Sequence, residues 1–246
     1  MHMQEPLFAL TTMAESEIFR TIREPVCLGV SIHTDLSENE LFTRVLNRAI
    51  ITAGMTAYAW EPLLPGYSEL GQPLVLPGEQ LTRHLESVGA APIISFTHEN
   101  GLHMAGAAIS PLRGIGVDLV RLSRVKREGE RMWSMARKFM SENEYQSFRQ
   151  LAENETHSAR SARFAAHFSL MESASKALGA GLMLGLGIGR SGSLPCRDIH
   201  VNSLKPGAHM ELTGKAKNRF DQLGAVTLKG FSFKQREYLL SVALLS

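Results

Sequence analysis

Four residues of this chain have side chains and spacing suited to chemistry on a charged substrate: His98, Asp118, Glu172 and Lys176. Glu172 and Lys176 stand four apart in a segment, Ser158 to Leu178, where Phe164, Phe168, Met171, Ser175 and Leu178 form one helical stripe. That spacing sets an acid and a base side by side along the flank of a buried face. A hard cation such as Mg²⁺ takes one or two carboxylates and completes its shell with water and phosphate oxygens, so such an edge can host a metal and an anion together. Alone, a Glu–Lys pair at this spacing is an ordinary surface ion pair worth about 0.2–0.5 kcal/mol. A lone histidine or aspartate at a strand end is usually a turn partner. Their joint occurrence, in order, is what gives them weight.

The elements that must position these residues are legible as patterns. Ala91 to His98 and Leu102 to Ser110 are apolar runs split by Glu99-Asn100-Gly101, a hairpin-type turn, and Pro111 to Arg113 leads into a third run, Gly114 to Val120. This predicts an antiparallel three-stranded meander that returns Asp118 to the sheet end where His98 lies. Upstream, a strand at Val26 to His33 precedes a helix that starts from a Ser37 cap, with Glu40 in the capping-box position, and runs to about Ala53. The Pro/Gly-rich stretch Glu61 to Gly78 shows no period and reads as a surface loop. Downstream come helices at Glu128 to Gln150 and Ser158 to Leu178, a glycine-rich stretch, a strand near Asp198 to Ser203, and a hairpin of Val226 to Lys234 with Tyr238 to Leu245. Each half passes through helix and ends in a hairpin. The expected fold is α+β, two similar pseudo-symmetric halves with helices packed on antiparallel sheets, divided as 1–112 and 113–246.

Composition narrows the class. With 246 residues, 44% hydrophobic and 20% charged, the chain can bury a substantial core. Two cysteines, Cys27 and Cys196, are too few for a disulfide framework, and no charged leader with an apolar run opens the chain, so a reducing cytoplasm is expected. No apolar run reaches the roughly 18 residues that span a bilayer, and a net charge of +2 does not call for nucleic acid. One local excess stands out: Arg121, Arg124, Lys126, Arg127, Arg131, Arg137 and Lys138 against two acids, the pattern of a solvated helix face. A Mg²⁺-dependent nucleotide hydrolase is disfavoured, since there is no P-loop, no His/Cys metal cluster and no Gly-x-Ser-x-Gly elbow. Gly179, Gly181, Gly185, Gly187 and Gly189 follow a helix rather than a strand, which disfavours a dinucleotide fold.

Three stretches are more specific in combination. Ser95-Phe96-Thr97-His98 with Gly101, Gly116-Val117-Asp118-Leu119, and Phe168 through Ala177 (FSLMESASKA) resemble, in order and spacing, the three signatures of the surfactin-type and enterobactin-type 4'-phosphopantetheinyl transferases. Those signatures are S-x-S/T-H, G-[IV]-D-[ILV] and [WF]-x-x-K-E-[SA]-x-x-K. Gly71-Gln72-Pro73 resembles the family's G-K-P loop on the adenine side, Asn47-Arg48-Ala49 its G-R-x-A helix, and Phe139 to Glu144 the acid-ending stretch between the second and third signatures. The likeness covers residues 44 to 182.

The resemblance implies coenzyme A bound in a cleft between two halves, with Mg²⁺ on its diphosphate held by Asp118 and Glu172. It implies that His98 and Lys176 face coenzyme A phosphates, that Arg48 meets the 3'-phosphate, and that Gln72, Ser95 and Thr97 line the cofactor. The implied reaction is attack of a carrier-protein serine on the pantetheine-bearing phosphorus with loss of 3',5'-ADP. Glu172 is the implied base and Glu144 a lesser candidate. The implied partner is an apo acyl or peptidyl carrier protein. Such carriers are commonly acidic, so the basic run from Arg121 to Lys138 is a candidate docking face. Two fused halves make a monomer sufficient. Neither the carrier nor the pathway, siderophore, polyketide, peptide or fatty acid, is specified. Val120 replaces a second acid and Met171 a lysine, which leaves open an alternative: a coenzyme A-binding homologue with lost or weak transfer.

Overall fold

Asn100 and Gly101 take positive φ angles of 53° and 76°, as the two centre residues of a tight hairpin turn require. They set the register of the strands on either side, so that His98 stands opposite His103 and Ser95 opposite Gly106. The computed structural model describes residues 18, 20, 22, 28–33, 36–52, 64–67, 73–76, 83, 86, 93–108, 112–183 and 192–246. In chain order the elements are β1 (Leu28–His33), α1 (Glu38–Thr52), β2 (Leu64–Tyr67), β3 (Pro73–Leu76), β4 (Ile93–Glu99), β5 (Leu102–Ala108) and β6 (Gly114–Arg121). Helices α2 (Leu122–Arg127), α3 (Arg131–Phe139), α4 (Glu142–Ala152) and α5 (His157–Ala177) follow. Then come the short strands β7 (Leu182–Met183), β8 (Leu194–Pro195), β9 (Ile199–His200), β10 (Ala208–His209) and β11 (Glu211–Leu212), helix α6 (Gly214–Gln222), and the hairpin β12 (Leu228–Gln235) and β13 (Tyr238–Leu245).

The same small topology occurs twice. One sheet has the order β1-β5-β4 and the other β10-β12-β13-β6, each antiparallel at these pairings. In each, the first strand pairs with the last, the last forms a hairpin with its predecessor, and one long helix packs on the first and last strands: α1 on β1 and β5, α5 on β6 and β13. The fold is therefore α+β with two similar halves. Between the sheets lies a shared core that joins Ile32, Met104 and Ala108 to Ile115, Val117, Leu240 and Val242. Gly106 makes this approach possible, because a Cβ there would stand 2.8 Å from both Ile115 and Val117. No helix among the described residues is long and apolar enough to cross a membrane.

Several local expectations are met. Ser37 and Glu40 form the reciprocal cap of α1, and Tyr238–Leu245 closes the final hairpin. Others are corrected. The third run does not extend the meander: β6 pairs with β13, more than a hundred residues away, and not with β5. Helix Glu128 to Gln150 is two helices, because Met140 is extended (φ −83°, ψ 154°) and Ser141 opens α4 with a capping box to Glu144. The stretch Glu61 to Gly78 contains the hairpin β2–β3, with Leu64 opposite Leu76 and Pro73 opening its strand. Four-residue strands carrying Pro and Gly are too short to show a period of two. The strand near Asp198 to Ser203 is only Ile199–His200, while residues 26–27, 109–111 and 184–191 of the sequence reading lie outside the described residues.

Candidate active site

Helix α5 and strand β6 touch backbone to backbone. A Cβ at Gly116 would stand 1.7 Å from the carbonyl oxygen of Ser173, and one at Gly114 would stand 2.0 Å from that of Ala177. Only glycine permits this approach. By the alternation of a strand, Gly114, Gly116 and Asp118 share the face of β6 turned to α5, so the side chain that follows the two glycines meets the helix. Along residues 164–178 α5 is buried nearly all round, its Ala and Ser residues fitting the narrow space beside the sheet. Glu172 and Lys176, both half-buried, are the charged groups it presents there.

The resulting contacts are short. Lys176 Nζ donates to Asp118 Oδ1 at 3.1 Å and to the backbone carbonyl of Val117 at 3.0 Å, and lies 3.9 Å from Glu172 Oε1. Thr97 Oγ1 donates to the same Asp118 oxygen at 3.3 Å. Asp118, only 6% exposed, takes no hydrogen bond on Oδ2 among the described residues. Burial holds the Glu172 carboxyl above the usual carboxylate range; Lys176 and Arg124 pull it back, and the charge of Asp118 pushes it further up. Arg124 donates to Glu99 at 2.7 Å. Cys196 is buried, its thiol pushed up to about 11 chiefly by burial and then by the charge of Glu172.

The residues singled out in the sequence fall into separate groups. Thr97, Asp118, Glu172 and Lys176 come together. Ser95, buried beside them, accepts the N–H of Val117 at 3.0 Å. His98 does not join them: alternation turns it to the face of β4 that carries Phe96, where its ring lies 6.0 Å from Phe96 and 6.0 Å from His103. Arg48 stands on α1, the helix that packs against Ile94, Ala105 and Ala107. Gln72 lies outside the described residues.

Glu144 is corrected as a candidate base. Its carboxylate accepts from Ser141 N at 2.9 Å, Ser141 Oγ at 2.6 Å, Val201 N at 2.5 Å and His200 Nδ1 at 3.2 Å, a full set of partners that ties α4 to β9. Met171 is 1% exposed inside the core, so it completes the apolar stripe and faces away from the charged edge. Val120 is likewise in the core and supplies no ligand. What the sequence reading missed is Gly114; the pattern Gly-x-Gly-x-Asp, a glycine on every residue of one strand face before the acid, was the available signal.

Among the described residues no group of three or more His, Cys, Asp or Glu side chains gathers around a metal position. Asp118 and Glu172 nevertheless fit Mg²⁺ as a carboxylate pair. Both are hard oxygen donors at one ammonium, and their mutual repulsion, with the burial of Glu172, is a cost that a divalent cation would relieve.

Residues 114–234, the stretch that contains Asp118, Glu172, Lys176 and both glycines, match the family model of the 4'-phosphopantetheinyl transferase superfamily. The match covers just under half of the chain. Among solved structures, the chain is similar to holo-ACP-synthase from Plasmodium yoelii, with 21% identity over 55% of this chain and 94% of the other at a TM-score of 0.43. The holo-[acyl-carrier-protein] synthase of Neisseria meningitidis is 18% identical over 55% and 98%, with a TM-score of 0.42. That of Helicobacter pylori, solved in complex with coenzyme A, is 22% identical over 54% and 99%, with a TM-score of 0.40. No curated protein matches the chain.

Proposed function

We propose that this protein transfers the 4'-phosphopantetheine arm of coenzyme A to a serine of an apo acyl or peptidyl carrier protein, releasing 3',5'-ADP, in a Mg²⁺-dependent reaction. The superfamily match over residues 114–234 supports a phosphopantetheinyl transferase. The observation that carries the reading is the Asp118–Lys176–Glu172 cluster where α5 meets β6. The surfactin/enterobactin-type assignment rests on the three signatures together with the repeated topology within one chain, divided near residue 112.

Transfer requires the diphosphate charge to be neutralised, a serine hydroxyl to lose its proton, and the two to be aligned. Lys176 supplies one fixed positive charge for a phosphate oxygen. Asp118 and Glu172 would hold Mg²⁺, which when bound neutralises diphosphate charge. Glu172 is the candidate base for the serine, directly or through water. The serine oxygen forms a bond to the β-phosphorus, the bond from that phosphorus to the bridging oxygen breaks, and 3',5'-ADP leaves with the electron pair. His98 lies on the other face of β4 from Ser95 and Thr97, and with Arg48 and Gln72 remains a candidate contact for coenzyme A. Lys126, Arg127, Arg131, Arg137 and Lys138 are exposed along α2 and α3 and suit an acidic carrier.

The test is intact-protein mass spectrometry of an apo-carrier incubated with this protein, coenzyme A and Mg²⁺. A gain of one phosphopantetheine that disappears in Glu172→Ala and without metal is expected. Coenzyme A binding with no gain on any of a panel of acyl and peptidyl apo-carriers would instead identify a binding homologue.

A further inference from the structure

β4 is the outer strand of its sheet and β6 the outer strand of the other, so each has a row of backbone groups not used by its own ladder. The two strands lie together, yet no backbone ladder joins them. At Val117 both outward groups are taken by side chains: its N–H by Ser95 Oγ at 3.0 Å, its carbonyl by Lys176 Nζ at 3.0 Å. One residue on, Asp118 Oδ1 is shared by Thr97 Oγ1 at 3.3 Å and Lys176 Nζ at 3.1 Å. Ser95 and Thr97 are two apart on β4, hence on one side of it, and are 2% and 9% exposed. Buried hydroxyls in this position close the seam between the sheets without continuing either one.

We propose that Ser95 and Thr97 are positioning residues that tie the two halves at the reacting edge: Ser95 sets the register of β6 against β4, and Thr97 fixes the rotamer of Asp118. This rests on the function proposed above and reassigns both hydroxyls, which the family likeness places against coenzyme A. Asp118 Oδ1 is held from the first half by Thr97 and from the second by Lys176. The carboxylate is thereby held from both halves, and Oδ2 is left for a cation. Both hydroxyls are bonded to the protein itself. Loss of the Thr97 donor frees Asp118 to rotate, so the metal site is weakened while the residues that contact the carrier are untouched.

The experiment uses the full chain and the variants Thr97→Val, Thr97→Ser and Ser95→Ala. Two readouts need no transfer: Mn²⁺ binding in the presence of coenzyme A, followed by the electron paramagnetic resonance of free Mn²⁺, and hydrogen exchange of the Val117 amide. The seam requires Mn²⁺ affinity to fall roughly tenfold in Thr97→Val, about the worth of one hydrogen bond to a charged group, and to recover in Thr97→Ser. It requires the Val117 amide to exchange at least about tenfold faster in Ser95→Ala. KM for the carrier should stay as in the unaltered chain. Equal Mn²⁺ affinity in Thr97→Val, or an equal loss in Thr97→Ser, overturns the role of Thr97. A Val117 amide that exchanges alike with and without Ser95 overturns the seam. If the unaltered chain binds no Mn²⁺ with coenzyme A, it is the proposed function that fails, and the exchange comparison still decides the seam.

Discussion

Gly116→Ala is the sharpest single perturbation of this site. The added Cβ would stand 1.7 Å from the Ser173 carbonyl oxygen, 2.7 Å from the Ser173 carbonyl carbon and 2.7 Å from the Ala177 nitrogen. An unstrained carbon–oxygen contact is about 3.3 Å, so helix and strand must part by roughly 1.5 Å. All three neighbours are backbone within α5, so no rotamer change can absorb the clash. Overpacking of a core costs about 1–3 kcal/mol where side chains can yield, and here the upper end is expected. For a chain of this size about 3 kcal/mol lowers Tm by roughly 6–12 °C. The same displacement opens the Lys176 Nζ–Asp118 contact from 3.1 Å to beyond hydrogen-bond range, and a misplacement of about 1 Å can cost about a hundredfold in rate. Calorimetry and single-turnover arm transfer measure the two effects. Gly181→Ala is the control, because among the described residues a Cβ there meets only Ser193 Oγ, at 3.7 Å. A Gly116→Ala protein that melts with the parent and transfers at an unchanged rate would refute the argument that backbone contact sets this site.

Other expectations follow from the same geometry. Met171→Lys, which restores the lysine of the family signature, buries an ammonium in the core; it should lower Tm and leave coenzyme A affinity no better, whereas a faster enzyme would show that the side chain reaches the phosphates. Glu172→Gln should stabilise the metal-free fold at pH 7, since a carboxyl raised in the folded state costs stability once pH climbs past its ordinary value of 4.5. The gain should vanish below that pH, and a gain that persisted there would point to packing instead. His167 is buried and lowered to about 4, chiefly by burial, with Arg163 lowering it and Glu144 opposing. As pH falls from 6.5 towards 4 the unfolded chain takes the proton first, so stability drops by as much as about 3 kcal/mol; His167→Phe should flatten that part of the urea-midpoint curve. Charge reversal at Arg127 and Arg131 should raise KM for the carrier more than for coenzyme A, and the opposite pattern would remove α2 and α3 as the docking face.

Much of this protein was legible along the chain, because the signals are local. The Ser37 cap, the Asn100-Gly101 turn and the helical stripe through Phe164 and Met171 each depend on residues within a few positions of one another. The short signatures around Thr97, Asp118 and Glu172 likewise name the groups that meet. Tertiary structure decided the rest. Whether β6 joins β5 or β13 is a contest between pairings that are equally good locally, and it is settled by the core the two sheets share. Whether Met171 or Glu172 faces the charged edge depends on which side of α5 the sheet covers, and helical spacing alone leaves that rotation free. Glu144 looks like a catalytic acid in the sequence and is a structural one in the fold, because His200 and Val201, distant in the chain, claim its carboxylate. The glycines of β6 acquire their meaning only when the helix is laid against them: a missing side chain is invisible as a contact until its neighbour is in place.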